Sequence, residues 1–528
     1  MGTGPARRRP HRTSRPSSQR HRHPRLPAHR RRHLGAGAHH PGVVRRRVEG
    51  GRRPPPPPPR PQGAHPRRGS HGAGPRHRVR PRQPGPPRAP RRHPGRTRRL
   101  DPRRPPRRRP RRATGRPARH LGRDRRPPRR PVASPPVDRP ADLTDPLVRR
   151  RAELVKWARD PVDVLPAWVA EHDFRPPEAV FAAVHRVADE GAFGYTRRAA
   201  ALGPAYASWA RRRHAWEVDP ELVTWHVDVL QGVVAAVTAL SEPGEGLVIT
   251  PPIYFPFLDI APTTGRRQLE WRLRRDDTGW HLDPDDLDAV LSREPDARVL
   301  LLSHPHNPTG RVLDPAALAR IVEICARHDV HIVSDEIHGD LVRPDVEFRP
   351  LLTVPGAAER TVVVTSAAKT FSLSGLRCAV SVFADPDLRS RVLHAHPPLL
   401  LGHPGRVGIE ATIAAWEHGA DWTDGLVELI GRRFDRLAER LAAEAPAVRW
   451  HRPEATFLAW LDVSACGLGP RPGATLLERA RVAVSEGVDF GEGGEGHIRV
   501  NVGTAEAVFE EICDRLLPHL GVAAGGGA

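Results

Sequence analysis

Four short apolar runs, each followed by a turn that carries ionisable or amide side chains, restrict this chain to a small set of folds. Residues 247–250, 298–303, 331–334 and 361–365 are rich in Val, Ile and Leu and lack a sustained alternation of polar with apolar positions. Such runs read as strands buried on both faces. Segments of helical length and period, such as 177–190 and 315–328, lie among them. Strands alternating with helices predict an α/β fold around a mostly parallel sheet. In sheets of this kind ligands bind beyond the carboxyl ends of the strands. The residues just after each run are therefore the candidates for function.

Past the run 361–365 come Ser366, Lys369 and Arg377. Of 85 lysines and arginines only two, Lys156 and Lys369, are lysines. Arginine replaces lysine readily as a surface cation, but its guanidinium stays protonated and cannot serve as an imine-forming nucleophile or a proton shuttle. Lys369 is thus a candidate for amine chemistry, against the plainer reading of a leftover surface cation. Asn307 is carried at the tip of the rigid turn HPHNPTG, 304–310. Asp335, Glu336 and His338 emerge in DEIHGD, 335–340, and Tyr254 and Phe255 lie just past the strand 247–250. An aromatic there stacks on a planar ring or simply packs in the core.

Gln231, Gly232, Val233 and Val234 follow the apolar segment 227–230 and are expected to open a helix running to about Ser241. A glycine at a strand-to-helix turn lets an anion approach the helix amides, although it is also ordinary turn chemistry. Near the end, GHIRVNVGT (496–504) reads as a short strand bearing Arg499. That arginine either lies exposed on an edge strand or, half-buried, needs an anion.

The overall net charge of +25 belongs to one end of the chain. Residues 1–140 hold 44 arginines and four acidic residues, Glu49, Asp101, Asp124 and Asp138; the rest has 41 basic and 56 acidic residues, a net of −15. With so few apolar residues and no helical or strand period, the stretch 1–140 is expected to be a disordered arginine- and proline-rich tail. Three readings stay open for it: an anion- or nucleic-acid-binding tail, a solvated linker, or a start placed too far upstream in a GC-rich gene. The acidic body gives no electrostatic reason to expect nucleic acid as its partner. Four widely spaced cysteines without a CxxC pair fit a reduced, cytoplasmic protein and suggest neither a disulfide framework nor a metal site. Apolar runs fall short of the ~18 residues that span a bilayer.

Taken together, HPHNPTG, SDEIH, SAAKTFSLSGLR and HIRVN, in that order, resemble the pyridoxal-phosphate enzymes of fold type I, the class I/II aminotransferase-like superfamily. The resemblance covers roughly 141–523. PAWVAEHDF (166–174), LQGVVAAVTAL (230–240) and SDEIHGDLV (334–342) are closest to its cystathionine β-lyase branch, the carbon–sulfur lyases of the MalY and PatB type. It implies an N-terminal arm and part of a small domain over 141–190, a large cofactor-binding domain over 191–410 and a small α+β domain over 411–523. It also implies pyridoxal 5′-phosphate held as a Schiff base by Lys369, which then acts as general base. Asp335 would pair with the pyridine nitrogen, Asn307 and His338 would serve the phenolic oxygen, and Tyr254 would stack on the ring. The phosphate would meet Gly232, Val233, Val234, Ser366, Arg377 and, across a homodimer, Tyr195 of the other subunit. Arg499 and Trp168 would bind the amino-acid substrate. The implied reaction is α,β-elimination from a cysteine S-conjugate to thiol, pyruvate and ammonia. An aminotransferase is the nearest alternative, favoured by Arg377, and a non-catalytic regulatory module is a more distant one.

Overall fold

The computed structural model describes residues 154–521; the arginine-rich stretch 1–140 lies outside them. Helix α1 (Glu178–Asp189) begins after Pro177, and Gly191 ends it in the left-handed conformation at φ +59°. Strand β1 (Val223–His226) leads into helix α2 (Val229–Leu240), followed by β2 (Gly246–Ile249), β3 (Arg267–Glu270) and β4 (Ala297–Ser303). Helix α3 (Pro315–Arg327) precedes β5 (His331–Asp335). Then come β6 (Thr361–Thr365), the one-turn helix α4 (Ala368–Phe371) and β7 (Ala379–Val382). These seven strands form one sheet in the order β1-β7-β6-β5-β4-β2-β3. From β6 to β3 every pairing is parallel, and β7 runs antiparallel to both its neighbours.

The absence of polar alternation in the strands now has its cause. Val299 and Leu301 of β4 join one apolar core with Val333, Val362 and Val364, against Val233, Val237 and Leu240 of α2. Leu300 and Leu302 join the other with Ile332 and Val363, against Leu318, Ile321 and Val322 of α3. Successive side chains point to opposite faces, so both faces are sealed and apolar residues are favoured at successive positions.

Helices α5 (Arg406–His418) and α6 (Ala420–Glu444) lead to the second sheet. It comprises β8 (Arg449–Trp450), β9 (Leu458–Asp462), β10 (Ser485–Glu486) and β11 (His497–Asn501), with helix α7 (Pro472–Arg479) between β9 and β10 and helix α8 (Glu506–Leu520) closing the chain. The order is β8-β9-β11-β10, all antiparallel. Arg499 therefore stands on an inner strand, opposite Trp460 and Ser485. The edge-strand reading of this residue is excluded.

The segment after residue 163 is laid against this second sheet. Leu165 and Pro166 pair in parallel with Val482 and Ala483, and the Asn501 amide donates to the Ala167 carbonyl at 2.8 Å. A buried ion pair holds it there. Lys156 Nζ lies 2.7 Å from Asp173 Oδ2, with both residues buried. The Asp173 carboxylate also accepts from Trp157 Nε1 at 3.0 Å and from Thr504 Oγ1 at 2.8 Å. Lys156 is thus no surface cation either. Among the described residues no helix is long and apolar enough to cross a membrane.

Removing one member of a buried pair strands the other charge, which costs about 3–5 kcal/mol. Asp173→Ala is expected to lower the urea-unfolding free energy by about that amount, and Lys156→Met combined with Asp173→Leu to recover much of it. Equal stability of the single variant and the unmodified protein would show the pair to be dispensable.

Candidate active site

Beyond the carboxyl ends of β1, β2, β4, β5 and β6 the chain encloses a cavity of about 310 Å³. Each of these strands delivers a group to it. Asp228 and the first turn of α2 follow β1, and Tyr254 follows β2. Asn307 follows β4, Asp335 ends β5 with His338 just beyond, and Ser366 and Lys369 follow β6. Arg377 closes one side, and Trp168 and Arg499 close the other. Parallel strands emerge at one sheet edge, so residues far apart in sequence converge.

Lys369 Nζ donates to the Ala170 carbonyl at 2.7 Å. Burial holds its amine below the ordinary lysine range; Arg499 adds to this, while Glu171 and Asp335 oppose it. Asp335 is buried and its carboxylate accepts from the Ile337 amide at 3.1 Å. Burial pushes its pKa up to about 7 even though that amide and Lys369 favour the charged form. This is a carboxylate with room for a cationic donor. The His338 imidazole is pushed down to about 3 by burial, then by Lys369 and Arg499, which keeps it neutral. Its Nδ1 has no hydrogen-bond partner among the described residues.

Arg499 is the most constrained group. It is 2% exposed, and its guanidinium packs over Phe490 at 4.8 Å. Nη1 donates to Asn307 Oδ1 at 2.8 Å, and Nη2 to the Trp168 carbonyl at 2.9 Å and Ser485 Oγ at 3.3 Å. These partners are all neutral, and Nε has none among the described residues. Burial lowers its pKa to about 10. A buried cation without a counter-ion among the described residues, facing a cavity, suits an anionic ligand group.

The residues expected from the turn at 231–234 lie elsewhere. Helix α2 starts at Val229, with Asp228 as its N-cap accepting from the Gln231 amide at 2.8 Å. The Gly232 amide already donates to the Asp228 carbonyl, and Gly232, Val233 and Val234 are absent from the cavity wall. Val229 and Leu230 line it instead, and the first amides of a helix have no partner within it. Gly232 serves packing: a Cβ there would lie 2.8 Å from Val364 Cγ1. Asp228 itself is a site residue that sequence reasoning missed. Its Oδ2 pairs with Arg377 Nη2 at 2.5 Å, and the signal was present in the D-x-x-Q spacing of a helix start.

Arg377 takes a left-handed backbone at φ +54°, as does Ser372 at the end of α4. Such conformations are costly outside glycine and cluster at functional sites. Ser366 Oγ donates to the Cys378 carbonyl at 2.6 Å and accepts from the Ala368 amide, which shapes the turn before Lys369. Tyr195 is fully exposed and lies outside this cavity's wall.

The chain belongs to the family of class I and II aminotransferases, whose model matches residues 169–516. Its architecture is the fold type I arrangement of that family. The cystathionine beta-lyase PatB of Bacillus subtilis (strain 168) is 33% identical over 370 residues, covering 69% of this chain and 95% of PatB. Protein MalY of Escherichia coli (strain K12) is 30% identical over 352 residues, covering 66% and 90% respectively. Cystalysin from Treponema denticola, solved with a pyridoxal 5′-phosphate cofactor, matches with a TM-score of 0.67 at 27% identity, over 72% of this chain and 98% of its own.

Glu336, next to Asp335, is a buried acid that does not line the cavity. Its Oε1 accepts from Ser334 Oγ and the Leu351 amide, both at 3.0 Å. Burial raises its pKa from 4.5 to about 8. Between those values the folded state holds a proton that the unfolded state has lost, so this contribution to stability is full below pH 4.5 and is lost as pH rises through 8. Glu336→Gln keeps the acceptor and removes the titration. Denaturant unfolding should show the variant close to wild type at pH 5 and more stable at pH 9 by over ~1 kcal/mol. Parallel stability curves would contradict this account of Glu336.

Proposed function

We propose that this chain is a pyridoxal-5′-phosphate-dependent carbon–sulfur β-lyase acting on cysteine S-conjugates of the cystathionine type. The observation that carries this is the buried Arg499, without a counter-ion among the described residues, facing the same cavity as Lys369. One guanidinium awaits a carboxylate where an amine of lowered basicity is within reach of the same small ligand. The names of the similar lyases support the reading.

The residues present fit the cofactor. Asp335 offers a buried carboxylate to a pyridine N–H, and its raised pKa is relieved when a cationic partner arrives. The Tyr254 ring lies along the wall, Asn307 and His338 would serve the phenolic oxygen, and the first turn of α2 with Ser366 and Arg377 would hold the phosphate. When bound, the cofactor supplies an electron sink for the bond electrons released at Cα.

The protein's own groups then have distinct tasks. Arg499 grips the α-carboxylate and fixes the orientation of the Cα–H bond. Lys369, whose amine burial makes easier to deprotonate, removes the Cα proton. The Cβ–S bond breaks with its electron pair on sulfur, and the leaving thiolate takes up a proton. Overall one water is consumed, and thiol, pyruvate and ammonia result. Neutral His338 and the aromatic wall of Trp168, Tyr254 and Phe255 suit a thioether better than a second carboxylate. Tyr195, exposed on one copy, is assigned to the phosphate of a second copy in a homodimer.

Arg377 favours the aminotransferase as second reading. Purified protein given L-cystathionine without a keto acid should release pyruvate and free thiol together, and turnover only on addition of 2-oxoglutarate would replace the lyase by the aminotransferase. Lys369→Arg keeps the charge but should abolish the visible absorbance of the bound cofactor and lower turnover on the order of 10³-fold or more. A wild-type rate in that variant would sink both readings.

A further inference from the structure

The turn that carries Lys369 is too short to hold itself. Helix α4 (Ala368–Phe371) has four residues, and Ala367 at its start makes no side-chain cap; a single helical turn is unfavourable without outside support. Strands β5 and β6 pair in register as far as Asp335 and Val364. Beyond that point Asp335 and Lys369 belong to two separate loops, and their spacing depends on what joins those loops.

Thr370, buried beside Lys369, is held by its backbone and by its side chain. Its carbonyl accepts from His172 Nε2 at 3.0 Å, and the Phe174 amide donates to His172 Nδ1 at 3.3 Å, which fixes the tautomer. Ser372 Oγ donates back to the His172 carbonyl at 2.8 Å. The Thr370 hydroxyl donates to Asp340 Oδ2 at 3.0 Å, and Asp340 lies in the loop that follows Asp335 and His338. The other oxygen of Asp340 accepts from Trp209 Nε1 at 3.0 Å and meets His214 Nε2 at 3.1 Å. Burial would raise the Asp340 pKa, but His214, Arg213 and Trp209 hold the carboxylate below its ordinary range, so Thr370 donates to a charged acceptor. Asp340 does not line the cavity that holds Lys369, and the chemistry described above makes no use of it. A structural role is already served by Trp209 and His214; the third donor, one residue from Lys369, is what such a role leaves unexplained.

We propose that Asp340 is a positioning residue for Lys369: through the Thr370 hydroxyl it ties the turn that carries the amine to the loop that carries Asp335. It thereby sets the distance between the group that moves the Cα proton and the acid that meets the pyridine nitrogen. Trp209 and His214 hold Asp340 itself in place from its other oxygen. A hydrogen bond to a charged acceptor is roughly twice as strong as a neutral one, and a displacement of about 1 Å at a reacting group costs on the order of 10²-fold in rate. The assignment rests on reading Lys369 as the residue that holds the cofactor and moves the proton, and it applies to a lyase and an aminotransferase alike.

The test uses the holoprotein with L-cystathionine and has two readouts, pyruvate release and the visible circular dichroism per bound cofactor. Thr370→Val keeps the shape of the side chain and removes the hydroxyl, whereas Thr370→Ser keeps the hydroxyl. Thr370→Val should lower kcat about tenfold or more and leave KM within about twofold, because Arg499 and its partners are untouched. It should also change the dichroism, and Thr370→Ser should recover most of both. Asp340→Asn still accepts from Trp209 and removes the charge that Thr370 meets; its kcat should fall as well, and adding it to Thr370→Val should cost little more than Thr370→Val alone, since both act on one contact. If Thr370→Val fails to fold, Asp340→Asn decides by the same two readouts. A lower Tm with kcat and dichroism unchanged makes the contact purely structural and overturns the proposal, as does a loss confined to KM. If the unmodified holoprotein binds the cofactor and releases no pyruvate, the lyase reading falls and the dichroism decides the proposal by itself. No visible absorbance in the unmodified protein given the cofactor overturns both.

Discussion

A parallel sheet sealed on both faces leaves its polar side chains few places to go. In the first sheet the central strands are mostly apolar, because α2 covers one face and α3 the other. Ionisable groups carried by these strands therefore collect where the strands end, and parallel pairing puts those ends on one edge. Asp228, Tyr254, Asn307, Asp335 and Lys369 are brought together by that constraint alone. Their shifted basicities follow from the same cause, since burial is the largest influence on Asp335, Lys369 and His338.

The second sheet and the segment near residue 168 complete what the first begins. Arg499 donates to Asn307 from one sheet to the loop of the other, and to the Trp168 carbonyl at a separation of 331 residues. Lys369 in turn donates to Ala170. That covering segment is held by the buried Lys156–Asp173 pair. The two lysines thus have complementary positions: one lines the cavity, and the other secures the chain that covers it. A polar site built from such distant pieces depends on the whole fold being in register.

The helix starting at Val229 shows where local reading loses its grip. An apolar segment followed by Gln-Gly invites a strand-to-turn interpretation, yet Asp228 caps the helix two residues earlier than expected. Gly232 is then buried against β6, where it serves close packing and does not line the cavity. Apolar runs of this length cannot be told as strand or helix by pattern alone, whereas the D-x-x-Q spacing could have arbitrated. Arg499 was undecidable on local grounds for a different reason. An arginine between valines suits an edge strand or an inner one, and the difference lies in the pairing of β11 with both β9 and β10.

The chemical types at the strand ends, and the strands themselves, were readable because side-chain period and turn chemistry are local properties of a few residues. Lys369, Asp335 and Asn307 stood out on that basis, and the arginine-rich stretch could be set apart by charge and composition. Which groups share a cavity was not readable in the same way. Trp168, Asn307 and Arg499 meet through hydrogen bonds between segments far apart in the chain, as do Asp228 and Arg377. Periodicity tells which face a side chain takes, but not which distant strand will lie beside it. That choice is made by burying both sheets at once.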